Sequence, residues 1–176
     1  DGTLALADLC AGTGAAPITR VAIDADDVAV LQYTGGTTSG PKGVMLTHRN
    51  IFANVVQTEV YTYRTRTRGE ARYMVIIPMF HIFGFTVGMM KGAWVGATLL
   101  LFPRFDVDAV LAAVRTHVPT YFPGVPTIWA ALLAHPEAPS CGLERIRICT
   151  SGSAPLSQEF IDRFESTFGR ALFEGY

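Results

Sequence analysis

The chain has few charged residues, few cysteines and no long uninterrupted apolar run. Only 16% of its 176 residues are charged, the formal net charge is -1, and lysine and arginine form no cluster, so nucleic acid is not expected as a partner. Cys10, Cys141 and Cys149 include no CxxC pair, which indicates reduced thiols rather than a zinc site or a disulfide framework. The apolar stretches are interrupted by glycine, proline or charge, and none predicts a membrane span. The first residues lack the pattern of a signal peptide.

Apolar residues are abundant instead. They make up 49% of the sequence, and 176 residues suffice for one domain with a substantial core. Strand-like and helix-like segments alternate. Strands are predicted at 28–34, 72–77, 97–102, 120–122, 145–150 and 171–174. Helices are predicted from about Thr47, over 84–96, after the N-cap Asp106, over TIWAALLAH with Pro126 in its first turn, and from the N-cap Ser157 to Gly169. This alternation predicts an α/β fold with a mainly parallel sheet and crossover helices.

Small and polar residues gather directly after the predicted strands. The segments concerned are 35–43, 78–84, 123–126, 151–155 and 175–176. Ligands of parallel α/β sheets bind beyond the carboxyl ends of the strands, so these segments predict one shared site. The alternative is that glycine and proline only mark turns.

Residues 34–43 have the composition of a phosphate-binding loop. They hold four glycines, three threonines, one serine and Lys42. Glycine lets backbone amides approach a phosphate closely, and a lysine ammonium supplies a positive charge. The P-loop of nucleotide triphosphatases requires Gly-Lys-Ser/Thr, whereas here Pro41 separates Gly40 from Lys42. A surface turn is the remaining alternative from composition alone.

Residues 33–50, YTGGTTSGPKGVMLTHRN, resemble the signature loop of the acyl-adenylate-forming superfamily, which includes acyl-CoA synthetases, luciferases and peptide-synthetase adenylation domains. The match departs from the usual pattern at Ser39, where glycine is common. The resemblance implies a catalytic role for Lys42 and magnesium contact by Thr34. It implies ATP/AMP contacts for Thr34, Gly35, Gly36, Thr37, Thr38, Ser39, Gly40 and Lys42.

Three further segments resemble motifs of the same superfamily. PMFHIFGF (78–85) implies that His81 is catalytic and faces the acyl carboxylate, and Phe85 is either an aromatic gate or a core residue. SGSAPLS (151–157) implies that its backbone lines the adenine and the acyl group. EGY (174–176) implies an aromatic ring stacked on adenine. The nucleotide contacts implied here are Gly152, Ser153, Ala154, Glu174, Gly175 and Tyr176, and Gly152 also contacts the acyl group.

Among members of the superfamily, the chain looks most like the long-chain fatty acid–CoA ligases. The implied substrates are a fatty acid, ATP and CoA, with Mg²⁺ as cofactor, in a cytoplasmic enzyme for which peripheral membrane contact is also open. Residues 1–26 are expected to be a lead-in and 27–176 part of the large AMP-binding domain, without the C-terminal lid. Such a piece is expected to self-associate through exposed apolar surface. The alternatives are a fatty acyl-AMP ligase, an aryl or amino-acid adenylating domain, and a non-catalytic nucleotide-binding module.

The 176 residues alone are expected to lack adenylation activity. The resemblance places the magnesium-binding glutamate and the catalytic lysine of the lid beyond Tyr176. Carboxylate-dependent exchange of pyrophosphate into ATP, measured with the purified chain, checks this expectation. Exchange above background would contradict it.

Overall fold

The computed structural model describes residues 20–34, 40–62 and 69–175. An antiparallel pair comes first: β1 (Val28–Thr34) runs alongside β2 (Lys42–Thr47). Helix α1 (His48–Thr62) follows directly. Thr47 caps α1, because its Oγ1 accepts the Asn50 backbone N–H at 3.1 Å, and the Asn50 side chain accepts the Thr47 N–H at 3.1 Å in return.

A five-stranded parallel sheet forms the larger part of the described structure. Its order is β4-β3-β5-β6-β7. The strands are β3 (Arg72–Val75), β4 (Thr98–Leu101), β5 (Tyr121–Gly124), β6 (Ile148–Ser151) and β7 (Leu172–Glu174). The connecting helices are a π-helical segment (Gly84–Met90) continuing into α2 (Lys91–Val95), then α3 (Val107–His117), α4 (Pro126–Ala134) and α5 (Gln158–Phe168). Two short 3-10 turns, Ala138–Ser140 and Leu143–Arg145, lie between α4 and β6. The predicted α/β class with a mainly parallel sheet is confirmed.

The helix boundaries follow local side-chain chemistry. The carboxylate of Asp106 accepts the N–H three residues ahead at 2.9 Å and begins α3. The hydroxyl of Ser157 accepts a backbone N–H at 3.2 Å and begins α5, which Gly169 ends in the left-handed region at φ 61°. Pro126 occupies the first turn of α4, where its missing N–H costs no hydrogen bond. These predicted caps are confirmed.

The prediction for the first strand was incomplete. Within the described residues β1 pairs with β2 and is not a strand of the five-stranded sheet. Strand β2 lies within 33–50, which is predicted only as a loop followed by the start of a helix. Lys42 and Gly43 have low strand propensity, and the pairing that makes them part of a strand is supplied by β1. The predicted single helix over 84–96 is in fact a π-helical turn followed by a short α-helix.

The main core lies around Trp129 on one face of the sheet. The Trp129 ring packs 4.4 Å from Phe122 and 5.2 Å from Phe164, centroid to centroid, and its Nε1 donates to the Thr150 carbonyl at 3.2 Å. A Cβ at Gly124 would lie 2.6 Å from the indole. Glycine at the end of β5 is therefore required for the tryptophan to pack against the strand.

A second, smaller core contains a fully buried lysine. Tyr73 and Tyr121 pack edge to face at 4.9 Å, and the Lys91 Nζ lies 4.4 Å from the Tyr121 ring centroid. Lys91 is 0% exposed, and its ammonium donates to Thr62 Oγ1 at 2.5 Å. This polar contact joins α1 to α2 beside the sheet.

The surface of α1 and of the antiparallel pair β1–β2, which we call the hairpin, is rich in apolar side chains. The exposed ones are Val28, Leu31, Tyr33, Val44, Met45, Phe52, Val60 and Tyr61. Such surface favours association with other apolar surface, so self-association of the isolated chain stays a prediction. None of the described helices has both the length and the apolar character needed to cross a membrane. The thiols of Cys141 and Cys149 are buried and free, and Cys10 lies outside the described residues.

The buried lysine predicts a specific pH dependence of stability. Burial lowers the pKa of Lys91 from 10.5 to about 8, although the nearby Glu59 carboxylate opposes the shift. Between these values the unfolded chain binds more protons than the folded one, so stability rises with pH by up to about 1.4 kcal/mol per unit. The Lys91→Met variant should lack this rise. Urea denaturation of both proteins between about pH 8 and 9 measures the difference, since the buried Cys149 and Tyr121, whose pKa values burial raises to about 12, oppose the rise only above their ordinary pKa values of 9 and 10. Parallel pH profiles would contradict the assignment.

Ser153 has a backbone conformation that favours glycine. Its φ is 72°, in the left-handed region that glycine adopts without a steric penalty. Ser153→Gly should therefore stabilise the protein by about 1 kcal/mol, measured by urea denaturation. Gly169→Ala is the reciprocal control, because Gly169 has φ 61° and open space around its Cβ position. The free energy of unfolding of this variant should fall by a similar amount. A destabilised Ser153→Gly variant would contradict the prediction.

Candidate functional site

The segments after β3, β4, β5 and β6 line one cleft of about 870 Å³ at the carboxyl edge of the sheet. Its polar and charged lining is His81, Arg104, Thr127 and Ser153. Parallel strands end at the same edge, which is why segments far apart in sequence meet there. The predicted convergence of 78–84, 123–126 and 151–155 is therefore confirmed.

His81 is held by the backbone of its own loop. Its N–H donates to the Pro78 carbonyl at 3.0 Å, and its carbonyl accepts the Phe85 N–H at 2.9 Å. The ring Nδ1 accepts the Phe83 N–H at 3.2 Å. Because Nδ1 is an acceptor, a neutral ring carries its proton on Nε2, which can donate to an anionic group in the cleft. His81 is thus suited to orient a carboxylate.

This loop is tight enough to require glycine at its end. A Cβ at Gly84 would lie 2.3 Å from the Pro78 carbonyl oxygen and 2.6 Å from the Ile77 carbonyl oxygen. Both contacts are with backbone, which cannot move aside as a flexible side chain can. Gly84 therefore allows the chain to turn from β3 past His81 and into the π-helical segment.

The turn after β6 touches the His81 loop through Phe83. Gly152 is buried and donates its N–H to the Gly124 carbonyl at 3.1 Å. A Cβ at Gly152 would lie 3.0 Å from the Phe83 ring. Phe83 is not among the predicted site residues, although its place two residues after His81 in PMFHIFGF is a usable signal. The geometry brings the predicted nucleotide turn and the predicted acyl loop into contact.

Glu174, which is predicted to contact the nucleotide, is hydrogen-bonded to the protein backbone in this structure. Its Oε1 accepts the Leu156 N–H at 2.9 Å, which ties the end of β7 to the turn after β6. Gly175 donates to the Ser151 carbonyl at 2.7 Å and reinforces the same connection. Ser153 and Ala154 line the cleft beside this connection. Tyr176 lies outside the described residues.

The described ends of the predicted phosphate loop lie on the hairpin. Thr34 pairs with Lys42 across β1 and β2, both are exposed, and Gly40 has φ 77°. None of these three residues lines the cleft. The centre of the loop, Gly35, Gly36, Thr37, Thr38 and Ser39, lies outside the described residues.

Phe85 lies in a second cavity, of about 530 Å³, rather than in the cleft with His81. This cavity is enclosed mainly by apolar side chains of β1, α1, the π-helical segment and α2. They include Val30, Ile51, Phe52, Phe85, Met90 and Trp94, and His48 is its polar member. His81 and Phe85 are both predicted to line the acyl site, whereas His81 lies in the cleft and Phe85, in the π-helical segment, lines a separate cavity.

Arg104 is the site residue that the sequence analysis missed most clearly. It follows β4, is exposed in the cleft, and forms no ion pair with another described residue. The rule that identified the other strand ends applies equally to 102–105 and would have found it. Among the described residues, no group of three His, Cys, Asp or Glu side chains could hold a metal ion.

Known proteins resemble the chain in sequence and structure. A long-chain-fatty-acid–CoA ligase of Bacillus subtilis is 45% identical over 150 residues, covering 85% of this chain and 27% of that protein. 4-Coumarate–CoA ligase 1 of Arabidopsis thaliana is 34% identical, covering 100% of this chain and 32% of that protein. The O-succinylbenzoate–CoA synthetase of B. subtilis, solved in complex with ATP and magnesium ion, superposes with a TM-score of 0.75 at 28% identity, covering 93% of this chain and 34% of that one.

The chain thus spans about a third or less of the length of these relatives. The family model of AMP-binding enzymes matches residues 4–176, nearly the whole chain. The resemblance found in the signature loop is therefore confirmed over its full extent. The chain belongs to the family of AMP-binding enzymes.

Proposed function

We propose that the protein is an acid–CoA ligase that activates a fatty acid with ATP as acyl-AMP and then transfers the acyl group to CoA. The observation that carries the proposal is the cleft at the sheet edge, where His81, Arg104 and Ser153 converge. The relatives named as CoA ligases support the reaction class. We also expect such an enzyme to be cytoplasmic, and peripheral membrane contact remains open.

The first step requires two anions to be held together. An oxygen of the fatty-acid carboxylate attacks the α-phosphorus of ATP, a new P–O bond forms, and the bond to the pyrophosphate oxygen breaks. The His81 Nε2–H orients the carboxylate, and the Arg104 guanidinium offsets the negative charge in the cleft. Lys42 and the loop amides would hold the β- and γ-phosphates.

The second step replaces oxygen by sulfur on the acyl carbon. The thiol of CoA loses its proton to solvent, its sulfur attacks the acyl carbon of acyl-AMP, and AMP leaves with the electron pair of the broken C–O bond. The turn containing Gly152 borders this carbon in the proposed arrangement, because it contacts Phe83 next to His81.

The residues present fit ATP better than they fit a metal bound by protein alone. The turn after β6 lines the cleft with Ser153 and Ala154, and the O-succinylbenzoate–CoA synthetase was solved in complex with ATP and magnesium ion. The described residues contain no carboxylate cluster for a cation. Mg²⁺ would be held by phosphate oxygens with the Thr34 hydroxyl as a protein ligand, and it supplies positive charge to the phosphates.

The second cavity supports an aliphatic acyl group. It is mainly apolar, and one short segment connects the two spaces, since His81 lines the cleft and Phe85, four residues later, lines the cavity. Each methylene buried there would contribute about 0.8 kcal/mol, which is enough to favour long chains. A volume of about 530 Å³ lies within the usual range of ligand pockets.

An aryl acid is the second candidate substrate. The cleft itself contains the aromatic side chains of Phe80, Phe102 and Phe105, and the Arabidopsis relative is named for 4-coumarate. An aromatic ring would fit among these side chains without entering the second cavity. The two candidates therefore place the acyl group in different spaces.

Loss of the His81 imidazole should slow adenylate formation. In the full-length protein, His81→Ala is expected to lower the rate of carboxylate-dependent ATP–pyrophosphate exchange about 100-fold, because a donor to the reacting carboxylate is removed. His117→Ala, at the exposed C-terminal end of α3, is the matched control and should retain the wild-type rate. Equal rates for the two variants would refute the role of His81.

A substrate panel in the same assay separates the two acyl candidates. Fatty acids of increasing length are expected to give rising kcat/KM, and Phe85→Ala should change this dependence because Phe85 lines the second cavity. A preference for 4-coumarate that is insensitive to Phe85→Ala would favour the aryl acid. Adenylate release without thioester on addition of CoA would favour a fatty acyl-AMP ligase.

A further inference from the structure

Lys91 differs from the other basic residues of the chain. Of the 14 lysines and arginines only Lys42 and Lys91 are lysines, and no described arginine is buried. Lys91 is 0% exposed and is one of the largest fully buried side chains. Taking an ammonium group out of water is costly, so its environment must compensate for part of that cost.

Three elements supply the compensation. From α1, the Thr62 Oγ1 accepts a hydrogen bond from the ammonium, and the nearby Glu59 carboxylate favours its charged form. From β3 and β5, the Tyr73 and Tyr121 rings lie 5.7 Å and 4.4 Å from Nζ, within the range of cation–π attraction. Lys91 itself begins α2. One side chain therefore contacts helix and sheet together.

The contact to α1 leads to the nucleotide side of the site. Helix α1 follows β2 without an intervening residue, and Lys42 is the first residue of β2. The Thr47–Asn50 cap fixes the joint between strand and helix. A displacement of α1 relative to the sheet would therefore move the hairpin and Lys42 with it.

The other two contacts lead to the acyl side. The π-helical segment connects Lys91 back to the loop of His81. In the sheet, the Tyr121 hydroxyl lies 3.2 Å from Thr150 Oγ1, and Thr150 is two residues before Gly152. The Lys91 ammonium is thus connected to the His81 loop through the π-helical segment and to the Gly152 turn through Tyr121 and Thr150.

We propose that Lys91 is a positioning residue of the adenylation site, which holds the hairpin carrying Lys42 in register with the cleft at the sheet edge. It does not touch a substrate; it acts through α1, the π-helical segment and Tyr121. The kinetic part of this inference depends on the proposed function. The structural part, which is the hydrogen bond between Lys91 and Thr62 of α1, is independent of the proposed function.

The kinetic experiment uses the full-length protein with three variants. Lys91→Met removes the charge with little change of volume, and Thr62→Val removes its hydrogen-bond acceptor. Both are expected to raise the KM for ATP about five- to tenfold while kcat changes less than about twofold, because binding rather than chemistry depends on the hairpin position. Thr58→Val is the matched control: the Thr58 hydroxyl donates only to carbonyls of its own helix, and the wild-type KM should be retained.

Acetylation by acetic anhydride, followed by mass spectrometry, reports on the contact directly. The exposed Lys42 should react in the wild type and in all three variants. The buried Lys91 should be protected in the wild type and in Thr58→Val. Thr62→Val should make Lys91 reactive. Reaction of Lys91 in the wild type at the rate of Lys42 would overturn the proposal.

The remaining outcomes are equally decisive. Wild-type KM values in Lys91→Met and Thr62→Val, or equal changes in Thr62→Val and Thr58→Val, would refute a positioning role. If Lys91→Met does not fold, as judged by circular dichroism, Thr62→Val decides the question. If the wild type shows no pyrophosphate exchange with any carboxylate, the proposed function fails. The affinity for ATP by calorimetry in Thr62→Val and Thr58→Val, with Lys91 protection, then tests the positioning role alone.

Discussion

Parallel pairing of β3, β4, β5 and β6 is the constraint on which the rest of the site depends. Because these strands run in one direction, every strand end in this part of the chain faces the same edge. An antiparallel strand among them would send its following loop to the opposite edge and remove one wall of the cleft. The register brings Gly124 beside Ser151, so the turns after β5 and β6 start side by side. The cleft is thus a consequence of sheet topology before any side chain is considered.

Glycine residues, which have no side chain, then determine how closely these segments can pack. Gly124 allows Trp129 to close the main core, Gly84 allows the His81 loop to fold against two carbonyl groups, and Gly152 accepts the Phe83 ring. In each case a Cβ would meet another atom at 3.0 Å or less. The cost of adding one would fall on backbone or on a packed aromatic ring, which cannot move freely. Ser153 shows the opposite case, since its Cβ is retained at a φ of 72°.

Local signals in the sequence were sufficient for α1, α3, α4 and α5 and for three of the four segments that line the cleft. Caps such as Asp106 and Ser157 act over three residues, so the sequence displays both partners of each hydrogen bond. Strand β2 could not be found in this way, because its partner β1 supplies the pairing across a loop. The separation of Phe85 from His81 was also hidden: it depends on which face of a π-helical segment meets α1, and that is a tertiary contact.

Burial of Lys91 was hidden for the same reason, and it shows why lysine is present where the chain otherwise uses arginine. A guanidinium stays charged and presents five donors in a fixed plane, which one hydroxyl and two ring faces could not satisfy. A lysine ammonium is compact, it fits between Thr62 and the tyrosine rings, and its pKa can fall, here to about 8, when burial disfavours the charge. The same properties that make lysine tolerable at this position also make it responsive to the placement of α1. A buried amine that is satisfied only when helix and sheet are in register is therefore a physical basis for holding the two sides of the site together.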